Sequence, residues 1–185
     1  MPVKPEILNC EDVARSRLFR VQQVELRFSN GEERTYERLA SSGSAAVIIV
    51  PMLDEDRVLL IREYGVGVED YELGLPKGRV ERGEEAIAAA NRELMEEVGY
   101  GSKKLRLLKC FSQSPSYMQH HTQVVLAEDL YPETAEGDEP EPLEVETFRL
   151  SELDTLVARQ DLTEARSIAA LYMVKALFAK RSAGE

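Results

Sequence analysis

The sequence predicts an α/β fold: an α/β/α sandwich with a mixed sheet between helices, preceded by a small N-terminal antiparallel β unit. Three observations predict it. Strand-like and helix-like segments interleave without the regular alternation of a parallel βαβ series. An Asn-Gly pair, Asn30-Gly31, sits between two strand-like runs near the N-terminus, the strongest short-range signal for a hairpin. One amphipathic segment in the middle of the chain is bounded by Gly83 and Gly99, as a helix with a marked start and stop would be.

The elements follow in order. Residues 18–28 alternate in places and end at Ser29-Asn30-Gly31, and 32–39 form the return strand. A lone hairpin cannot hold a core by itself. Residues 41–44, Ser-Ser-Gly-Ser, make a short linker, which divides an N-terminal unit of 1–43 from a main domain of 44–185. Residues 45–52 and 57–64 are β-rich, with Asp54-Glu55-Asp56 as the turn between them, and 71–73 form a short strand running into Gly74-Leu75-Pro76-Lys77-Gly78. The central helix has Glu84 and Glu85 in its first turn, where the helix dipole favours acids. Gly99 supplies its C-terminal stop. Ile87, Ala90, Leu94 and Val98 recur at helical spacing as its apolar stripe. Strands at 105–111, 122–127 and about 145–150 come next. Two helices, 151–158 and 163–180, close the chain, the second with Ala170, Leu171, Val174, Leu177 and Phe178 on one side. There is no internal repeat.

Composition narrows the function. A chain of 185 residues with 43% hydrophobic content fits one real core with a small appendage. A net charge of −11 and a basic run nowhere in the sequence argue against nucleic acid or an acidic membrane surface as partner. An acidic protein that handles an anionic substrate needs local cations, either metals or a few arginines. Cys10 and Cys110 have no metal or redox spacing and fit reduced thiols. The N-terminal stretch lacks the apolar core of a signal peptide, and the longest apolar run, 45–53, is too short for a bilayer and contains Pro51. The expected location is cytoplasmic. Adjacent His120 and His121 point to opposite strand faces and so do not share a metal.

The chemistry concentrates in residues 78–100, GRVERGEEAIAAANRELMEEVGY. On a helix Glu93, Glu96 and Glu97 stand at i, i+3 and i+4 and share a face. Carboxylates so gathered repel unless a cation joins them. Their oxygens are hard ligands of the kind Mg2+ or Mn2+ accepts while keeping waters and phosphate oxygens. Arg92 can brace them through a bidentate pair. Gly78 permits an unusual backbone turn before the helix. Taken alone, such a cluster is more often an ordinary solvated acidic helix face.

The spacing decides the matter. Gly78, five residues, Glu84, seven residues, Arg92-Glu93, apolar Leu94, one residue, Glu96-Glu97, one residue, Gly99 and apolar Tyr100 reproduce G-x5-E-x7-R-E-U-x-E-E-x-G-U, with U apolar. From average residue usage, chance produces this in such a chain with odds on the order of 10^-7. The segment resembles the signature of the Nudix hydrolases. The family's fold is an α/β/α sandwich, in agreement with the element pattern.

The resemblance implies Mg2+-dependent, or Mn2+-dependent, cleavage of a diphosphate linked to another group, with two or three ions per site. The implied ligands are the Lys77 carbonyl, Glu93, Glu96 and Glu97. Leu60-Ile61-Arg62-Glu63-Tyr64, Glu72 to Gly78, the N-terminal hairpin and the acidic loop 136–142 resemble the ADP-ribose pyrophosphatase side of the superfamily. That likeness implies ADP-linked small molecules as substrates (ADP-ribose, NADH and diadenosine polyphosphates), AMP as product, and a homodimer. It also implies a loop carboxylate as further ligand or base, with Glu141 in the best register and Glu139 as the alternative. Arg62 would face the diphosphate, unless it is a surface arginine at a strand end. Tyr36, Glu37 and Arg38 would contact adenosine. Lys77 departs from the Pro-Ala-Gly common before the signature; its carbonyl survives as a ligand, and its side chain is placed to alter substrate preference. A nucleotide-sugar or nucleoside-triphosphate diphosphatase is the alternative within the family. A non-catalytic nucleotide-binding module fits less well, because no signature glutamate is lost.

Overall fold

The computed structural model describes residues 2–41, 43 and 45–184. Ser42 and Ser44 of the expected linker lie outside the described residues. The chain divides into two compact units, one of residues 1–44 with 112–121 and one of 45–111 with 122–185.

The first unit is a three-stranded antiparallel sheet in the order β1-β2-β3: β1 (Glu6–Arg15), β2 (Arg20–Arg27) and β3 (Glu33–Leu39). The expected hairpin is β2-β3, closed by Gly31 at φ 85°. The hairpin expectation omitted β1. Every residue of β1 is exposed and its ladder to β2 is twice interrupted, so no clean period-2 pattern marks it. Residues 112–121 join this unit through Leu39, whose N–H donates to the Tyr117 carbonyl at 2.7 Å and whose carbonyl accepts from Gln119 N–H at 3.0 Å.

The second unit holds two sheets. One is β7-β4-β9-β8, with β4 (Ala46–Pro51), β7 (Lys77–Arg79), β8 (Tyr100–Gln113) and β9 (His120–Pro132). It is mixed, since β4 runs antiparallel to β7 and parallel to β9. The other, β10-β5-β6, is antiparallel and contains β5 (Arg57–Gly65), β6 (Asp70–Gly74) and β10 (Glu144–Arg149). Strand β4 is buried on both faces, which explains its unbroken apolar run. Val47 and Ile49 pack with Ala89, Ala90, Leu94 and Val98 of the helix α1 (Ala86–Glu97) and its end. Ile48 and Val50 pack with Ala170, Leu171 and Val174 of α3 (Ala165–Ala183). One helix therefore covers each face of the β4 layer, which gives the α/β/α order the sequence predicted.

Four local expectations change. Glu85 is the N-cap of α1, so Glu84 and Glu85 precede the helix instead of filling its first turn. Ile87 is exposed and Ala89 takes its place in the buried stripe, while Ala90, Leu94 and Val98 are buried as expected. The segment 151–158 reduces to a 3-10 turn and the single-turn α2 (Leu153–Leu156). Helix α3 starts later than 163 because the Glu164 carboxylate caps it, accepting from the N–H groups of Arg166 at 3.1 Å and Ser167 at 2.9 Å. Among the described residues no helix is long and apolar enough to cross a membrane.

Candidate active site

Strand β7 and helix α1 build the site. Register fixes β7: Gly78 lies opposite Val47 and Lys77 opposite Ile48. The chain then turns at Gly83, φ 84°, and enters α1. Leu94 and Ala90 anchor the inner side of the helix, which sets the direction of Glu93, Glu96 and Glu97.

Gly78 matters through its missing side chain. Its φ is not in the left-handed region, so the expected unusual turn is absent. A Cβ there would overlap the Glu93 carboxylate. The glycine lets the carboxylate lie directly against the strand, and Glu93 is 9% exposed as a result. Glu97, 8% exposed, accepts the Lys77 N–H at 3.0 Å.

Arg92 braces the site more widely than expected. Its bidentate partner is Glu84, with Nε and Nη2 each 3.1 Å from a carboxylate oxygen. Its Nη1 also donates to Glu93 at 2.9 Å and Glu96 at 3.0 Å, and Nη2 to the Arg79 carbonyl at 2.9 Å. Glu84 in turn accepts the Glu81 N–H at 2.9 Å. The first glutamate of the signature thus holds the arginine that holds two of the others. Arg92 lowers the pKa of Glu84.

The cleft over this face measures about 550 Å3 and is lined by Lys77, Gly78, Arg79, Arg92, Glu93, Glu96, Glu97 and the loop 136–139. The two loop carboxylates lie in different places. Glu139 lines the cleft, whereas the Glu141 carboxylate accepts the hydroxyl of Tyr71 on β6 and is not part of the lining. The Tyr71 contact draws Glu141 toward the β10-β5-β6 sheet, and register along the loop gave no sign of it. Gly137 brings the loop close: a Cβ there would sit 3.3 Å from Glu96 Cβ.

Arg62 does not line the cleft. Its guanidinium donates to Glu146 at 2.7 Å and Asp161 at 3.0 Å, tying β5 to β10 and to the segment before α3. Tyr36, Glu37 and Arg38 lie on β3 in the first unit. Arg38 donates to Gln22 Oε1 at 3.2 Å, and Tyr36 is exposed. Sequence reasoning missed Glu63, whose carboxylate pairs with Lys77 Nζ. Strand alternation after Arg62 was the available signal.

Comparison with known proteins fits this geometry. Residues 44–171 match the NUDIX domain model, and 5–38 match the N-terminal domain of NudE-type Nudix hydrolases. The chain belongs to the Nudix hydrolase family. It is 52% identical to the ADP compounds hydrolase NudE of Escherichia coli over 93% of this chain and 92% of that protein. It is 33% identical to the ADP-ribose pyrophosphatase of Bacillus subtilis over 82% and 80% of the two chains. A crystal structure of an ADP compounds hydrolase superposes with a TM-score of 0.90 at 49% identity, covering 98% of this chain and 97% of the other.

Nudix hydrolases generally need divalent metals, and the donors present fit one. Burial raises the pKa of Glu93, with Arg92 acting the other way. Burial pushes Glu97 up to about 8, partly offset by the Lys77 N–H and the charge of Lys77. Desolvated carboxylates of this kind gain most from a hard cation. Among the described residues no closed trio of ligands is already gathered.

The Nudix helix should therefore make metal-free stability depend on pH. A folded pKa near 8 against an ordinary 4.5 means that the folded state of Glu97 holds more protons than the unfolded state between those values. Stability from this group is present below about 4.5 and falls as pH rises toward 8, by at most about 4–5 kcal/mol. Thermal melts in EDTA should show the midpoint falling across this window, and Mg2+ should raise it more at pH 8 than at pH 5. A midpoint that rises with pH in EDTA contradicts this assignment.

Proposed function

We propose that the protein hydrolyses the diphosphate of ADP-linked small molecules, releasing AMP, with Mg2+ or Mn2+ bound at the Nudix helix. The observation that carries the proposal is the pair of desolvated carboxylates in an acidic cleft, Glu93 held against Gly78 and Glu97 held by the Lys77 N–H. The names of the two relatives and of the structural neighbour supply the substrate class. Glu93, Glu97 and the Lys77 carbonyl would hold two or three ions, with Glu96 shared. Bound ions supply positive charge at the diphosphate and acidify water there.

The chain's own residues do the rest. Glu139 accepts a proton from the attacking water. Burial and the neighbouring Glu63 and Asp138 raise its pKa, with Lys77 acting the other way, and so raise its basicity. The water oxygen bonds to one phosphorus, the bridging P–O bond breaks, and the products are AMP and the phosphorylated remainder of the substrate. Glu141, held by Tyr71, steadies the loop. Arg62 braces β5. Arg92 keeps Glu93 and Glu96 oriented.

In the proposed organisation, residues 1–43 serve dimerisation and adenosine contact through Tyr36, Glu37 and Arg38, and 44–185 carry the hydrolase. The fully exposed β1 and the exposed Val13, Leu18 and Phe19 support a homodimer. The proposed setting is cytoplasmic, and a net charge of −11 favours small-molecule substrates over RNA. Sedimentation at micromolar concentration should give twice the 20.8 kDa chain mass. A monomeric mass contradicts the dimer.

The test of substrate class compares kcat/KM for ADP-ribose, NADH and diadenosine triphosphate with the matching guanosine, uridine and cytidine compounds. Adenine compounds should lead, each yielding AMP. A tenfold lead for a non-adenine compound would replace the adenosine reading with another diphosphatase of the same family.

A further inference from the structure

Strand β7 is short and lies at the edge of its sheet, with β4 as its neighbour. Its bonded positions alternate. The Pro76 carbonyl accepts the Ile49 N–H at 2.9 Å, and the Val80 N–H donates to the Ala45 carbonyl at 2.9 Å. The N–H and carbonyl of Lys77 therefore point away from β4, toward the free edge of the strand. On that edge the Lys77 N–H meets Glu97 at 3.0 Å. The place of Lys77 and Glu97 is only as fixed as this edge strand, and its entry is held from α3. Pairing of β6 with β5 ends at Gly74, and bonding to β4 begins at Pro76. Leu75, wholly buried, stands between the two sheets with a main-chain donor that neither ladder takes. Its partner is the Ser167 hydroxyl oxygen, at 2.9 Å. Ser167 is wholly buried too, and its hydroxyl donates to the Glu164 carboxylate at 2.9 Å. Glu164 also accepts Arg166 Nε at 2.8 Å, and Arg166 Nη1 donates to the buried Thr122 hydroxyl at 3.2 Å. The cap of α3 thus ends in one main-chain donor of the segment that leads to Lys77.

We infer that Ser167 is a positioning residue for the metal site: its hydroxyl pins Leu75, and through Pro76 the main chain of Lys77, so that the Lys77 carbonyl and Glu97 keep their places along the strand edge. This rests on the reading of that carbonyl and of Glu97 as metal ligands. The link is short and stiff. Only Pro76 stands between Leu75 and Lys77, its ring fixes φ, and its carbonyl is bonded to β4. A Cβ on Gly74 would lie 3.4 Å from Ser167 Oγ, so the chain passes close against the helix. The position needs a small group that accepts one bond and donates another, which a hydroxyl does. Alanine leaves the buried Leu75 N–H without a partner, and the segment must shift to find one.

The test measures Mn2+ binding to the full chain, without substrate, in wild type, Ser167→Ala, Glu97→Gln and Leu156→Ala. Leu156 is a buried residue of α2, and its truncation lowers stability without removing a bond of the Ser167 cluster. The expected result is Mn2+ affinity weaker by about tenfold in Ser167→Ala, the scale of a lost support behind a metal ligand, and unchanged in Leu156→Ala. In turnover, Ser167→Ala should need about tenfold more Mg2+ for its half-maximal rate, yet recover most of kcat at saturating Mg2+. Affinity within about threefold of wild type in Ser167→Ala, or an equal loss in Leu156→Ala, overturns the assignment while the metal site itself stands. Wild-type binding in Glu97→Gln removes the metal reading, and the role of Ser167 with it.

Discussion

Replacing Glu97 by glutamine lowers turnover by on the order of 10^2–10^3-fold or more at saturating Mg2+, the scale expected when one stabilising group is withdrawn from a transition state. The fold should survive. Glutamine keeps the shape, and its carbonyl oxygen can still accept the Lys77 N–H that Glu97 accepts at 3.0 Å. The variant also removes a carboxylate whose burial pushes its pKa up to about 8. Glu97→Gln should therefore melt no lower than wild type in EDTA at pH 8, and gain less from Mg2+. Loss of activity with unchanged or improved metal-free stability separates a ligand from a structural residue. Near-wild-type turnover in this variant removes the metal assignment.

The second large effect is expected at Gly78. A methyl group there falls on the Glu93 carboxylate, and the backbone behind it is pinned by β4. Either Glu93 turns away or β7 shifts. A displacement of about 1 Å at a reacting centre costs on the order of 10^2-fold in rate, while overpacking costs about 1–3 kcal/mol of stability. Gly78→Ala should thus lose activity well beyond its loss of melting temperature. A variant with full activity would mean that the close approach of Glu93 to the strand is dispensable.

How much of this could be read from the chain alone differs by element. The order of layers was legible, because β4 is one unbroken apolar run and α1 and α3 carry helical stripes. The spacing from Gly78 to Gly99 marked the family. What escaped depended on contacts between residues distant in sequence. Glu84 looked like a first-turn acid, but its partner is Arg92, 8 residues on, and the N-cap falls on Glu85. Glu141 had the better register, yet a single tyrosine hydroxyl from β6 takes it, and Glu139 enters the cleft. Arg62 ended an apolar strand as a phosphate contact might, yet Glu146 and Asp161, 84 and 99 residues on, claim it. Strand β1 escaped for the opposite reason: with both faces exposed it has no hydrophobic alternation to read.

The central claim is that the Nudix helix face takes a divalent ion through Glu93 and Glu97. Titrating the protein with Mn2+ and following free Mn2+ by electron paramagnetic resonance tests it without any assumption about substrate. Wild type should quench the free-ion signal, and Glu97→Gln at the same concentration should leave most of it. Equal retention of Mn2+ by the two proteins would contradict the account.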